Sequence, residues 1–146
     1  MKRRHLLLAA WPLPALAHDF RVGAIVIEHP YALPSAAGSR DTVVHFRALL
    51  NRGRAADRLV AAHCAEAATA QLRQAVLQDG VRRWVPVAAI ALPPGQALAS
   101  RHDGEWQIAV GGFKAPLAAG DEFALRLQFE HAGSREVTVT VQAPRR

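Results

Sequence analysis

The sequence predicts an all-β protein, one sandwich of about eight to nine antiparallel strands joined by Greek-key links. Three observations carry this expectation. Apolar residues recur at every second position in short runs, the period of a sheet with one buried face. Gly, Pro and Asp separate the runs, and helical periodicity is weak nearly everywhere. Of 146 residues, 51% are hydrophobic, enough for a core that needs neither metal nor disulfide.

The elements follow in order. Residues 1–17 combine a basic start, MKRRH, with the apolar run LLLAAWPLPALA and a small-x-small end at Ala15-Leu16-Ala17. This is the pattern of a cleaved secretory signal, leaving a mature chain that opens with His18. A spanning helix needs about 20 apolar residues, and this run is shorter and carries Pro12 and Pro14. Residues 18–146 are expected to form a single periplasmic or secreted domain without a membrane span.

Within that domain the expected strands are 22–30, 41–50, 57–64, 69–77, 81–90, a short one at 96–100, 105–110, 121–130 and 135–143. The separators carry turn chemistry: Pro30, Pro34 and Gly38, then Asn51-Arg52-Gly53, Asp79-Gly80, Pro93-Pro94-Gly95 and Asp103-Gly104. The clearest alternation puts Phe123, Leu125, Leu127 and Phe129 inward, with Val137, Val139 and Val141 opposite them across a hairpin loop at 131–135. The Ala-rich stretch 61–76 could also form a short helix, but strand-turn-strand is the expectation adopted.

Charge and motifs exclude several functions. Without Lys2, Arg3 and Arg4, the 18 basic side chains fall to 15 against 12 acidic ones, a net charge of +3. The basic residues come in scattered pairs with no interleaved aromatics, so no nucleic-acid partner is expected. No metalloprotease helix motif, phosphate-cradling Gly loop or nucleophile elbow occurs, and no enzymatic activity is expected. Cys64 is the only cysteine, which rules out an internal disulfide.

Six segments, in order, carry a resemblance: HDFRVGAIVIEHPYA, Asn51-Arg52-Gly53 followed by DRLV, QDGVRRWVPV, IALPPGQAL, and GGFKAPLAAGDEFALRLQFEHAG. Together they resemble PCuAC, a family of periplasmic copper chaperones with a cupredoxin-like β-sandwich. The resemblance implies a Cu(I) site of His and Met on adjoining hairpins, and a copper-receiving or copper-donating periplasmic partner on the way to a respiratory oxidase. Imidazole and thioether donors suit a soft monovalent ion.

Carried over position by position, the family's first His falls on Arg73 and its companion Met on Ala75. A second Met falls near Trp84, and the His-x-Met pair falls on Gln107 and Ala109. None of these residues is a ligand, and a guanidinium repels a cation and does not deprotonate. Substitute donors are few. His18, with its amine and ring, could chelate Cu(II), and His63 beside Cys64 offers an imidazole and a thiol. Adjacent strand residues point to opposite faces, however, and free cysteines are usually buried and inert. The alternative function is a metal-free sandwich that binds a protein through the former metal-site hairpin, with Trp84, Trp106 and Phe113 as its aromatic surface. Ordinary core packing of these three rings is the competing expectation.

Overall fold

The computed structural model describes residues 19–100 and 104–144. Among them the protein is all-β, with eleven strands and no helix. The strands are β1 (Phe20–Val22), β2 (Ile25–Ala32), β3 (Thr42–Asn51), β4 (Asp57–His63), β5 (Thr69–Gln78) and β6 (Val81–Pro86). They continue with β7 (Ile90–Leu92), β8 (Ala97–Ser100), β9 (Trp106–Gly111), β10 (Glu122–Phe129) and β11 (Gly133–Val141).

Every strand expected from the alternation is present, and two of the expected runs divide. Residues 22–30 break at Gly23, whose φ of +53° turns the chain between β1 and β2. Residues 81–90 break after Pro86, which has no N–H to donate to a ladder. The hairpin loop expected at 131–135 is shorter, because Phe129 already pairs with Gly133. The Ala-rich stretch is strand-turn-strand, as expected.

The strands share one sheet in the order β6-β5-β9-β3-β2-β11-β10-β4-β7, with β1 beside β2 and β8 beside β3. All pairings among the described residues are antiparallel except β11 with β2, so the sheet is mixed rather than purely antiparallel. The sheet feeds one apolar core. Ile27 and Leu49 come from β2 and β3, Leu72 and Ile108 from β5 and β9, and Leu125, Leu127 and Val139 from β10 and β11. Phe46 and Trp106 stack within it, ring centroids 5.6 Å apart.

Two buried polar residues pin the loops. Asn51 donates from Nδ2 to the carbonyls of Ala55 and Leu92 and accepts the Gly53 N–H at Oδ1, so its amide ties the β3–β4 turn to the end of β7. Asp57 accepts the N–H groups of Arg58 (2.7 Å), His131 (2.9 Å) and Ala132 (2.9 Å), joining the start of β4 to the β10–β11 turn.

His45 is buried, although alternation puts it on the opposite face of β3 from the core residues Val44 and Phe46. Its strand face is covered by a row of rings, with Tyr31 5.5 Å from His45 and His29 5.7 Å from Tyr31. His29 itself lies in the left-handed region, at φ 43°, a conformation in which His is among the more tolerated residues.

Candidate functional site

The register of β6, β5 and β9 places the four ligand positions given by the resemblance on one patch. Arg73 on β5 lies directly opposite Gln107 on β9, and Gln71 lies opposite Ala109. On the other side of β5, Ala75 lies opposite Trp84 of β6. Alternation puts residues 71, 73 and 75 on one face of β5, with 107 and 109 beside them and 84 across from 75. Side chains directly opposite have Cβ atoms about 4.5–5.5 Å apart, and diagonal neighbours remain within reach of long side chains. Donors at 73 and 107 would therefore meet, and 75 and 109 each lie one diagonal step from that pair, on opposite sides of it. The residues present offer a guanidinium, two methyl groups and an amide.

The other face of β5 explains why this one stays open. Leu72 points into the core beside Ile108, and that apolar contact fixes which way Arg73 faces. The result is an open groove of about 900 Å³, lined among others by Val43, His63, Thr69, Gln71, Arg73 and Ala109. Arg73 is half-buried on its wall, and its Nε donates to Gln71 Oε1 at 3.0 Å. Gln71 is a site residue that the motif comparison missed, although its position two residues before Arg73 on one strand face was readable.

The Gly111-Gly112 pair closes one end of the groove. Gly112 has φ +76°, and a Cβ there would stand 2.6 Å from the Ala68 Cβ. No other residue fits. Its N–H donates to Asp41 Oδ1 at 3.0 Å, which puts a carboxylate at that end.

The substitute donors do not gather. His18 lies outside the described residues. His63 is exposed and lines the groove, while its neighbour Cys64 is buried in the core and absent from the groove lining. Among the described residues no group of three or more His, Cys, Asp or Glu side chains could hold a metal ion. Burial pushes the Cys64 thiol up, which disfavours the thiolate that a metal would need. Cys64 is therefore expected to react with a thiol reagent at least about 10-fold more slowly in the native protein than in denaturant, as followed by absorbance.

The aromatic surface expected from Trp84, Trp106 and Phe113 does not form as a unit. Trp106 and Phe113 are buried, Trp106 on Phe46 and Phe113 edge-on to Phe123 at 5.0 Å. The reason is strand parity, since Trp106 shares the core face with Ile108. Trp84 is half-buried, with the Arg82 guanidinium 5.0 Å above its ring and Arg82 also bonded to the Gly104 carbonyl.

The β5–β6 hairpin runs beyond the rest of the sheet. Pairing of β5 with β9 ends at Gln74 and Trp106, while β5 and β6 stay paired out to Gln78 and Val81. Large exposed apolar side chains among the described residues gather on this ribbon: Val76, Leu77 at 78% exposure and Val81 at 54%.

Among the described residues no helix is long and apolar enough to cross a membrane. No curated protein matches the chain. The solved apo PCuAC domain from PmoF1 is 25% identical over 87% of this chain and all of that one, with a TM-score of 0.73. The copper-bound PCuAC domain from PmoF2 is 24% identical over 87% of this chain and 99% of that one, again with a TM-score of 0.73. The Cu(I) form of DR1885 from Deinococcus radiodurans, solved in solution, is 22% identical over 88% of this chain and 83% of that one, with a TM-score of 0.59. The last two likenesses concern the fold. The lipoprotein family model LpqE-like matches residues 25–141, so the chain belongs to the LpqE-like family, the PCuAC-related group that its sequence resembles.

Proposed function

We propose that this protein works outside the cytoplasm in copper handling, and that it acts by docking a protein partner at the β5–β9 groove rather than by carrying Cu(I) there. One observation supports this above the others: Arg73 faces Gln107 and Ala75 faces Trp84 where the resemblance puts its donors. The strand geometry of a soft-ion site is kept, and a permanent cation stands where an imidazole would coordinate. The lipoprotein description of the family and the basic-apolar start at residues 1–17 support the compartment. A copper-bound neighbour supports the pathway, since its fold is shared across 87% of this chain.

The test is a competition titration of the chain beginning at His18 with Cu(I), and separately with Cu(II). Cu(I) is expected to bind no better than it binds an unrelated histidine-bearing protein of similar size. Any Cu(II) binding is expected to disappear when the amine of His18 is acetylated. Cu(I) binding at micromolar affinity that is lost on substituting residues 71–75 or 107–109 would overturn the proposal.

The exposed tip of the β5–β6 ribbon supports the partner side of the reading, because apolar groups rimmed by Arg82 and Arg83 suit a protein surface. Leu77→Asp with Val81→Asp is expected to leave the Tm within about 2 °C, as exposed substitutions do. In cells, a photo-crosslinker at position 77 is expected to trap a discrete adduct that one at Arg47 does not. Equal labelling at the two positions would count against docking at the ribbon.

A further inference from the structure

The groove is polarised along its length. Arg73 and His63 line it, and Asp41 lies at the Gly111-Gly112 end. In the β5–β9 register, Arg73 pairs with Gln107 and Thr69 with Gly111, a separation of four residues. At 3.2–3.4 Å per residue, the two ends stand about 13 Å apart.

Arg73 is half-buried, and no carboxylate of the described residues forms an ion pair with it. The only hydrogen bond of its side chain among those residues uses Nε, taken by Gln71. The two Nη groups keep their N–H donors, and a guanidinium held at Nε presents them as a fork suited to the two oxygens of a carboxylate. His63 adds a ring donor and Thr69 a hydroxyl to the same groove. Asp41 is engaged by the Gly112 N–H, and its charge disfavours a second anionic group at the far end.

We infer that the groove binds a carboxylate group at Arg73 and takes a short extended segment, about four residues, with that carboxylate at one end. The occupant is the C-terminal segment of a protein partner, because the distance of about 13 Å between the two ends suits an extended chain whose terminal carboxylate meets Arg73. A polyanion fits poorly, since it would meet Asp41. This inference rests on the groove being a docking surface. It is tested without copper, so its failure leaves the Cu(I) titration untouched.

Three probes separate the cases: an N-acetylated tetrapeptide of alanine with a free C-terminal carboxylate, the same peptide amidated, and succinate. Each is titrated into the 15N-labelled chain, with amide shifts read at residues 69–75 and 107–112. The free-carboxylate peptide is expected to saturate these shifts, and the amidated one to bind at least about 10-fold more weakly, since it loses the charge-assisted hydrogen bonds to the guanidinium. Arg73→Gln is expected to weaken the peptide by about 10- to 100-fold on the same ground, and Arg73→Lys by less, because an ammonium lacks the fork. Saturable binding by succinate alone, with no peptide binding, would overturn the extended segment and make this a small-acid site. Equal binding of the two peptides, unchanged binding in Arg73→Gln, or no saturable shift with any probe would overturn the inference. His63→Ala serves as a second variant at an exposed position, and a drop in peptide affinity is expected there too.

Discussion

The variant Arg73→His, Ala75→Met, Gln107→His, Ala109→Met is expected to bind a single Cu(I) per chain at least about 100-fold more tightly than the parent. The estimate is conservative, since changing even the groups that support metal ligands moves affinity by about 10- to 100-fold, and here four ligating groups are introduced together. The register makes the expectation specific. Positions 73 and 107 are directly opposite, 75 and 109 sit diagonally from them, and all four share a strand face. Two imidazoles then face each other, and each thioether sits one diagonal step away from them as a soft donor. Ala109 opens onto the groove, so a methionine there has room, while Gln107 is buried and its replacement is the step most sensitive to packing. Competition against a chelator of known affinity reads the gain. Restoring Arg73 alone in this variant is expected to abolish most of it, because the guanidinium adds a fixed like charge.

Asp57→Ala is expected to lower stability by about 3 kcal/mol, since it strands three part-buried N–H donors, each costing about 1 kcal/mol, the low end for a donor left unmet. For a domain of this size that corresponds to a Tm lower by about 10 °C in a thermal melt. Burial raises the Asp57 carboxyl, but the N–H groups of His131, Arg58 and Ala132 together outweigh it and hold the group below the usual carboxylate range. A carboxyl depressed in the folded state contributes stability above its unfolded pKa of about 3.9, and loses that contribution as pH falls through the folded value. Wild-type stability is therefore expected to decline below about pH 4, and Asp57→Asn to show a flatter acid limb. Asn keeps one acceptor oxygen, so its loss at neutral pH is expected to be smaller than that of Ala. Chemical denaturation at a series of pH values reads both effects.

Much of the fold was legible because strand parity is written directly in the apolar alternation. Phe123 to Phe129 and Val137 to Val141 are buried as the pattern required. What the pattern could not give was the pairing order. The parallel contact of β11 with β2 joins residues more than a hundred positions apart, and nothing local encodes it. Parity also decided one of the aromatics. Trp106 packs inward, a result the alternation at 106, 108 and 110 already implied, whereas Phe113 lies past the end of β9 and is turned into the core beyond Gly112.

His45 marks the limit of the period-two rule. Val44, His45 and Phe46 are all buried, because rings from β2 cover the second face of β3. The site was legible in part. The resemblance gave positions 73, 75, 107 and 109, and only the β5–β9 register put them face to face. The β5–β9 groove, with His63, Arg73 and Asp41 along it, draws its lining from several strands and has no sequence motif.

Amide shifts of the wild-type chain during addition of Cu(I), under anaerobic reducing conditions, test the loss of the soft-ion site most directly. The expected result is that residues 71–75 and 105–110 keep their positions through one equivalent of Cu(I). New peaks at Arg73, Ala75, Gln107 and Ala109 that grow in and are complete at that equivalence would contradict it, and would make the groove a working copper site.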